Sequence, residues 1–165
     1  MKHQFILYFL ISMTAFYSPS KSQAQLVDNH KPANGIAKPK PRLNHIAIYV
    51  VDLQKSTAFY KDIIGLDTIP EPFHDGHHTW FSIGPKSHLH VISGAAGATT
   101  HDKNGHLCFS VPSVEEFIKV LDKNGVKFGN WAGDPNQVTH RVDGVKQIYF
   151  MDPDGYWIEI NDATE

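Results

Sequence analysis

A single cysteine, Cys108, is the only thiol in this chain of 165 residues, so no disulfide can close within it. Stability must come from a core, a metal ion or a second subunit. Positive charge is also scarce. Fifteen Lys and Arg stand against 17 Asp and Glu, a formal charge of -2, which leaves no basic surface for nucleic acid. Long apolar runs are missing too: the longest, Phe5 to Tyr17, falls well short of the ~20 residues that a bilayer span needs. The length excludes two ordinary domains, while 41% hydrophobic content suffices for one compact core.

That short apolar run follows Lys2 and precedes Ser22-Gln23-Ala24, the small-x-small pattern of a signal-peptidase site. Residues 1–24 therefore read as a cleaved signal peptide, and the mature protein is expected to be soluble and exported, periplasmic or extracellular, with no membrane partner. Gln25 stands where a lipid anchor would need cysteine. Residues 25–42 carry three prolines and little apolar material, which describes a flexible linker.

The remainder, residues 43–162, is one unit written twice, as modules 43–92 and 104–160. The first opens with LNHIAIYVVDLQKSTAFYKDIIGL and the second with NGHLCFSVPSVEEFIKVLDKNGVKF. In each, an alternating strand leads into a capped amphipathic helix. Asp52 is the expected N-cap of the first helix, Ser113 and Glu116 have capping-box spacing in the second, and Gly65 and Gly125 close them. His45 and His106 are 61 residues apart and the two glycines 60 apart. Strands are predicted over 66–69, 79–83 and 89–92, and again over 126–128, 146–151 and 157–160, with Asp152-Pro153-Asp154-Gly155 as a turn. The fold class is α+β: two βαβββ modules forming a cupped mixed sheet with helices on its outer face.

Strand parity then singles out four side chains. Ile46, Ile48 and Val50 oppose His45, and Leu107, Phe109 and Val111 oppose His106. Leu89 and Val91 oppose His90, and Ile158 and Ile160 oppose Glu159. With the apolar sets facing the helices, His45, His90, His106 and Glu159 share the other side. Three imidazoles and a carboxylate suit one divalent ion, zinc, nickel, manganese or iron, and the lack of a thiolate argues against a purely structural zinc. Such an ion with open positions could polarise a carbonyl oxygen.

Other residues carry weaker signals. His88 shares the parity of His90 and is the rival ligand. His74, His77 and His78 suit either a second metal site or a solvated loop around the Asp75-Gly76 turn. Tyr49, Cys108 and Trp157 fall on the ligand face as candidate substrate-pocket residues. His140 and Arg141 precede a strand, where they close over substrate or lie at the surface.

The segments LNHIAIYVVDLQKSTAFY, GHLCFSV and DPDGYWIEI resemble those of the glyoxalase I, bleomycin-resistance and extradiol-dioxygenase (vicinal oxygen chelate) superfamily, over residues 43–160, with bacterial glyoxalase I the nearest pattern. The resemblance implies metal ligation by His45, His90, His106 and Glu159, with Glu159 also the proton-shuttling base. It further implies a homodimer whose sites draw on two subunits. The activity it implies is that of a lyase or isomerase acting on a small oxygenated substrate through an enediolate held on the ion. An iron-dependent extradiol dioxygenase and a non-catalytic antibiotic-binding protein are the alternatives. The pattern departs at Tyr49, where glutathione-using glyoxalases carry an arginine, so a charge-assisted grip on an anionic tripeptide is lost.

Overall fold

The computed structural model describes residues 39–164, of which those from Pro41 onward belong to one compact unit. The expected leader and most of the expected linker lie outside the described residues.

The order of elements is βαβββ twice. The first module comprises β1 (His45–Val50), α1 (Leu53–Ala58), β2 (Thr68–Ile69), β3 (His78–Gly84) and β4 (Ser87–Ser93). The second comprises β5 (His106–Ser110), α2 (Val114–Lys123), β6 (Thr139–His140), β7 (Lys146–Met151) and β8 (Trp157–Asn161). Each module forms a four-stranded mixed sheet, ordered β1-β4-β3-β2 and β5-β8-β7-β6, with the first and last strands of the module parallel and the rest antiparallel. This is the α+β architecture of paired βαβββ modules.

The helices begin where the capping residues require. Asp52 accepts the Lys55 N–H at 3.0 Å and Ser113 the Glu116 N–H at 3.3 Å. Glu116 does not complete the capping box with its side chain, which pairs instead with Lys119 at 2.6 Å. After Ala58 the first helix widens into a π-helical turn, Phe59–Ile63, which buries both Phe59 and Tyr60. Gly65 ends it at φ +85°, a conformation that glycine adopts without a steric penalty.

Ile48, Val50, Leu89 and Val91 of the first sheet join Ile148, Phe150, Ile158 and Ile160 of the second, with Phe59, Phe117 and Leu121 from the helical segments, in one core. The helix-facing sides of both sheets are thus satisfied within one chain. Their opposite sides remain open along β1 and β5, where Ala47, Tyr49, Cys108 and Ser110 are exposed.

The strand predicted over 126–128 is not formed. Val126 N–H bonds back to Leu121 O, Gly129 makes a reciprocal bridge with Tyr149, and the edge of the second sheet is supplied by β6. Val126 and Phe128 still pack on the core, so their apolar character reports burial in an irregular segment rather than a strand.

Candidate metal centre

The second module supplies the more completed half of the site. Glu159 on β8 lies opposite Cys108 on β5 and Tyr149 on β7, and His106 opposite Trp157. His106 Nδ1 is 2.7 Å from the Lys103 carbonyl oxygen, which can only accept, so Nδ1 carries the proton. Nε2 therefore presents its lone pair to Glu159 Oε2, 3.1 Å away. Two acceptors face each other there, and a shared proton or a metal cation is needed to make the contact favourable.

Glu159 is buried, which by itself would raise its pKa. Hydrogen bonds from Tyr149 (2.6 Å to Oε2), from Asn161 (2.9 Å to Oε1) and from Cys108, with the nearby His106, outweigh burial and hold the carboxyl below its usual range. Tyr149 receives the Gln147 amide N–H in turn. Burial first, then the Glu159 hydrogen bond and charge, pushes the Tyr149 phenol up, so it remains a donor. Burial and the same carboxylate raise the Cys108 thiol to about 12, so Cys108 is no thiolate nucleophile at neutral pH.

The first module supplies the other half. His45 Nδ1 bonds Asn44 Oδ1 at 2.8 Å, which leaves its Nε2 free, and its ring lies 5.9 Å from that of His90. His90 is buried under Trp80, stacked on it at 4.3 Å, and its Nε2 meets His78 Nδ1 at 2.7 Å. Burial, then the nearby His78 and His45, lowers the His90 pKa and favours the neutral, ligating form. His88 lies on the same face, opposite His45 in the parallel register and beneath the edge of Trp80.

One chain thus brings His45 to His90 and His106 to Glu159, each pair on the open side of its own sheet. Among the described residues, no three His, Cys, Asp or Glu side chains converge on a common point. The donor chemistry fits a divalent ion nonetheless. His45 and His106 each have Nδ1–H anchored on an oxygen and Nε2 left over, the outer-shell arrangement that orients ligand histidines.

Of the expected pocket residues, Tyr49 is 53% exposed, with its hydroxyl against Gly94, where a Cβ would lie 2.7 Å away. Trp157 donates its indole N–H to His101 O at 3.0 Å and lies under the Lys103 ammonium, 4.5 Å from the ring centre. Trp157 and Lys103, with Tyr149, Phe128 and Met151, line a cavity of about 500 Å³; Tyr49 is not part of its wall, and Cys108 lines a separate hollow with His106. His140 lies in β6, and Arg141 pairs with Asp143 at 2.6 Å. Sequence reasoning missed Tyr149, Asn161 and Trp80. Hairpin pairing across the Asp152 turn, which sets Tyr149 opposite Glu159, was the signal available for the first.

A profile of the Glyoxalase/Bleomycin resistance protein/Dioxygenase superfamily matches residues 42–160. The chain belongs to this superfamily. It is 31% identical over 134 residues to the lactoylglutathione lyase of Salmonella typhimurium, covering 75% of this chain and 94% of that one. The metallothiol transferase FosB of Staphylococcus epidermidis is 29% identical over 128 residues, covering 74% and 82%. The lactoylglutathione lyase of Schizosaccharomyces pombe is 27% identical over 153 residues, and this glyoxalase-superfamily chain spans about half (48%) of its length. Among solved structures, the fosfomycin resistance protein FosX of Listeria monocytogenes superposes with a TM-score of 0.61 at 25% identity, covering 76% of this chain and 94% of that one.

Proposed function

We propose that this protein is a metal-dependent lyase or isomerase of the glyoxalase type, acting on a small substrate in which a carbonyl neighbours an acidic carbon–hydrogen bond. The observation that carries this reading is the His106–Glu159 pair, an anchored imidazole and an ionised, hydrogen-bonded carboxylate 3.1 Å apart on an open sheet face. His45 and His90 of one subunit, with His106 and Glu159 of a second, would hold a divalent ion such as zinc, nickel, manganese or iron. When bound, the ion supplies electrophilic polarisation of the substrate oxygen.

The remaining work belongs to the chain. Glu159 takes the proton from the carbon beside the carbonyl and delivers it to the neighbouring carbon, the step for which a positioned carboxylate contributes about 10²–10⁴-fold. Asn161 fixes Oε1, and the Tyr149 hydroxyl keeps Oε2 aimed along the sheet face. Tyr49, on the same strand face as His45, carries a hydroxyl and no guanidinium fork, which suits a substrate without a carboxylate at that position.

The test is elemental analysis of the purified protein, followed by turnover assays with α-oxoaldehyde adducts of several thiols. Metal should copurify, and Glu159→Gln should lower turnover by about 10²–10⁴-fold without altering circular dichroism. Metal-loaded protein that converts no such adduct would end this reading. A second reading, opening of the fosfomycin epoxide, is favoured by the similarity to FosB and FosX and is tested by incubating the same preparation with fosfomycin, with and without thiol.

We also propose export, on the strength of Lys2, the Phe5–Tyr17 run and Ser22-Gln23-Ala24. Fractionated cells should yield a processed form beginning at Gln25; a cytoplasmic form beginning at Met1 would refute it.

A further inference from the structure

His78 is outside the ligand set that the superfamily resemblance implies, yet it touches that set. It opens β3 and lies diagonal to His90, because Trp80 is the residue paired with His90. His78 Nδ1 is 2.7 Å from His90 Nε2, and its other nitrogen, Nε2, is 3.3 Å from Asp75 Oδ2. An ionised carboxylate accepts, so His78 Nε2 carries the proton and Nδ1 carries the lone pair. The sequence carboxylate, imidazole N–H, opposite imidazole nitrogen is the arrangement that orients metal-ligating histidines. His45 on the Asn44 amide oxygen and His106 on the Lys103 backbone carbonyl are also anchored on an oxygen, through Nδ1 instead of Nε2.

The surroundings hold both rings in place. Phe73 lies 4.6 Å from the His78 ring, and Trp80 is stacked on His90. Asp75 is fixed by accepting the His77 N–H at 2.9 Å. Nitrogens at bond lengths of about 2.0–2.1 Å from one ion are separated by about 2.9 Å at right angles, as in a five- or six-coordinate shell, and by about 3.3 Å in a tetrahedral one. The observed 2.7 Å is a few tenths shorter, within reach of a small side-chain rotation.

We propose that His78 is an additional metal ligand, binding through Nδ1 next to His90 Nε2, with Asp75 as its outer carboxylate. The first module then offers His78 beside His45 and His90, and ion binding must draw the three rings together, since they do not converge on one point without it. A shell so rich in imidazole selects zinc, nickel or iron over manganese, which prefers oxygen donors. The proposal rests on the metal-dependent reading above, and the experiment separates the two.

Full-length protein labelled with ¹⁵N-histidine is titrated with zinc alone. The imidazole ¹⁵N signals of His78 Nδ1 and His90 Nε2 should shift together at the same stoichiometry. Zinc affinity, read by chelator competition, should fall at least about tenfold in His78→Gln and by about 10-fold in Asp75→Asn, the lower end for loss of an outer-shell partner. Manganese affinity should change less. Zinc binding by the wild type that leaves His78 Nδ1 unshifted overturns this proposal alone, even if His78→Gln weakens binding, since His78 would then only position His90. Wild-type protein that binds none of zinc, nickel, iron and manganese overturns both readings. The wild-type spectrum and Asp75→Asn, altered at an exposed carboxylate, keep the test decisive if His78→Gln fails to fold.

Discussion

Glu159 is buried and yet surrounded by donors, and that combination keeps an ionised carboxylate available on a sheet face. Tyr149→Phe removes its shortest hydrogen bond and leaves the Gln147 amide without its acceptor. The expected cost is about 1.5–3 kcal/mol, as for a hydrogen bond to a charged group, read by urea unfolding. Turnover should fall while metal content is kept, because no ligand atom is lost. At this scale the sequence was informative wherever parity alone decides direction. His45 and His106 could be assigned to the open face because Ile48, Val50, Leu107 and Phe109 had to face the helices. Tyr149 escaped because its importance comes from what lies across the hairpin, which a strand read singly does not show.

At the scale of elements, the Asp152–Gly155 turn was legible as a turn and nothing more. In the structure it joins the two modules. Asp154 accepts the Val51 N–H at 2.7 Å and the Ser56 hydroxyl at 2.6 Å, and Asp152 accepts the Tyr60 hydroxyl at 2.7 Å. Those partners are about a hundred residues away in sequence, beyond the reach of any local pattern. Gly155 sits at φ +89°, and a Cβ there would lie 2.1 Å from the Thr99 carbonyl oxygen. Gly155→Ala should therefore cost about 2–4 kcal/mol from backbone strain and overlap, seen as a lowered melting temperature. The predicted strand over 126–128 failed for a related reason: a short apolar run records burial, whereas a strand needs a paired neighbour, and the edge of β7 is met by Gly129 at Tyr149 and by β6 at Lys146 and Gln147, not by residues 126–128.

An exposed ion pair ties α2 to β7 and gives a signed dependence on pH. The Lys146 ammonium, chiefly, with the Glu115 backbone N–H and the Ser113 hydroxyl, lowers the Glu115 pKa to about 2. A carboxyl depressed in the folded state contributes stability above its unfolded pKa and loses it as pH falls through the folded value. The contribution should thus hold from above the ordinary carboxylate range until the Lys146 ammonium, itself raised by Glu115, gives up its proton, and disappear on the acid side between that range and about pH 2. Being exposed, the pair should also weaken with added salt. Glu115→Gln should abolish this portion of the acid dependence in denaturation curves taken across that interval, and an unchanged acid limb would contradict the assignment.

For the whole molecule, the packing of the two modules decides how the site can form. Their helix-facing sides share one core, and each pair of candidate ligands lies on the open side of its own sheet. A second copy that covers these open sides would join the His45–His90 pair of one chain to the His106–Glu159 pair of the other. Mixing inactive His45→Ala and Glu159→Gln chains tests this directly. Each mixed dimer has one site with both lesions and one with neither, so random pairing should restore about a quarter of wild-type activity. No recovery after subunit exchange is confirmed would argue for sites completed within one chain.

The alternation of apolar and polar residues, the helix caps and the repeated spacing were enough, by themselves, to determine two βαβββ modules and the side of each sheet on which the four candidate ligands stand, because these depend on local periodicity. Only the tertiary structure decided that the imidazoles and the carboxylate pair off two by two, that Tyr149 and Asn161 bracket Glu159, and that His78 meets His90. Those contacts depend on which strands become neighbours and on how two sheets share one core, and burial of apolar surface summed over the whole chain settles both.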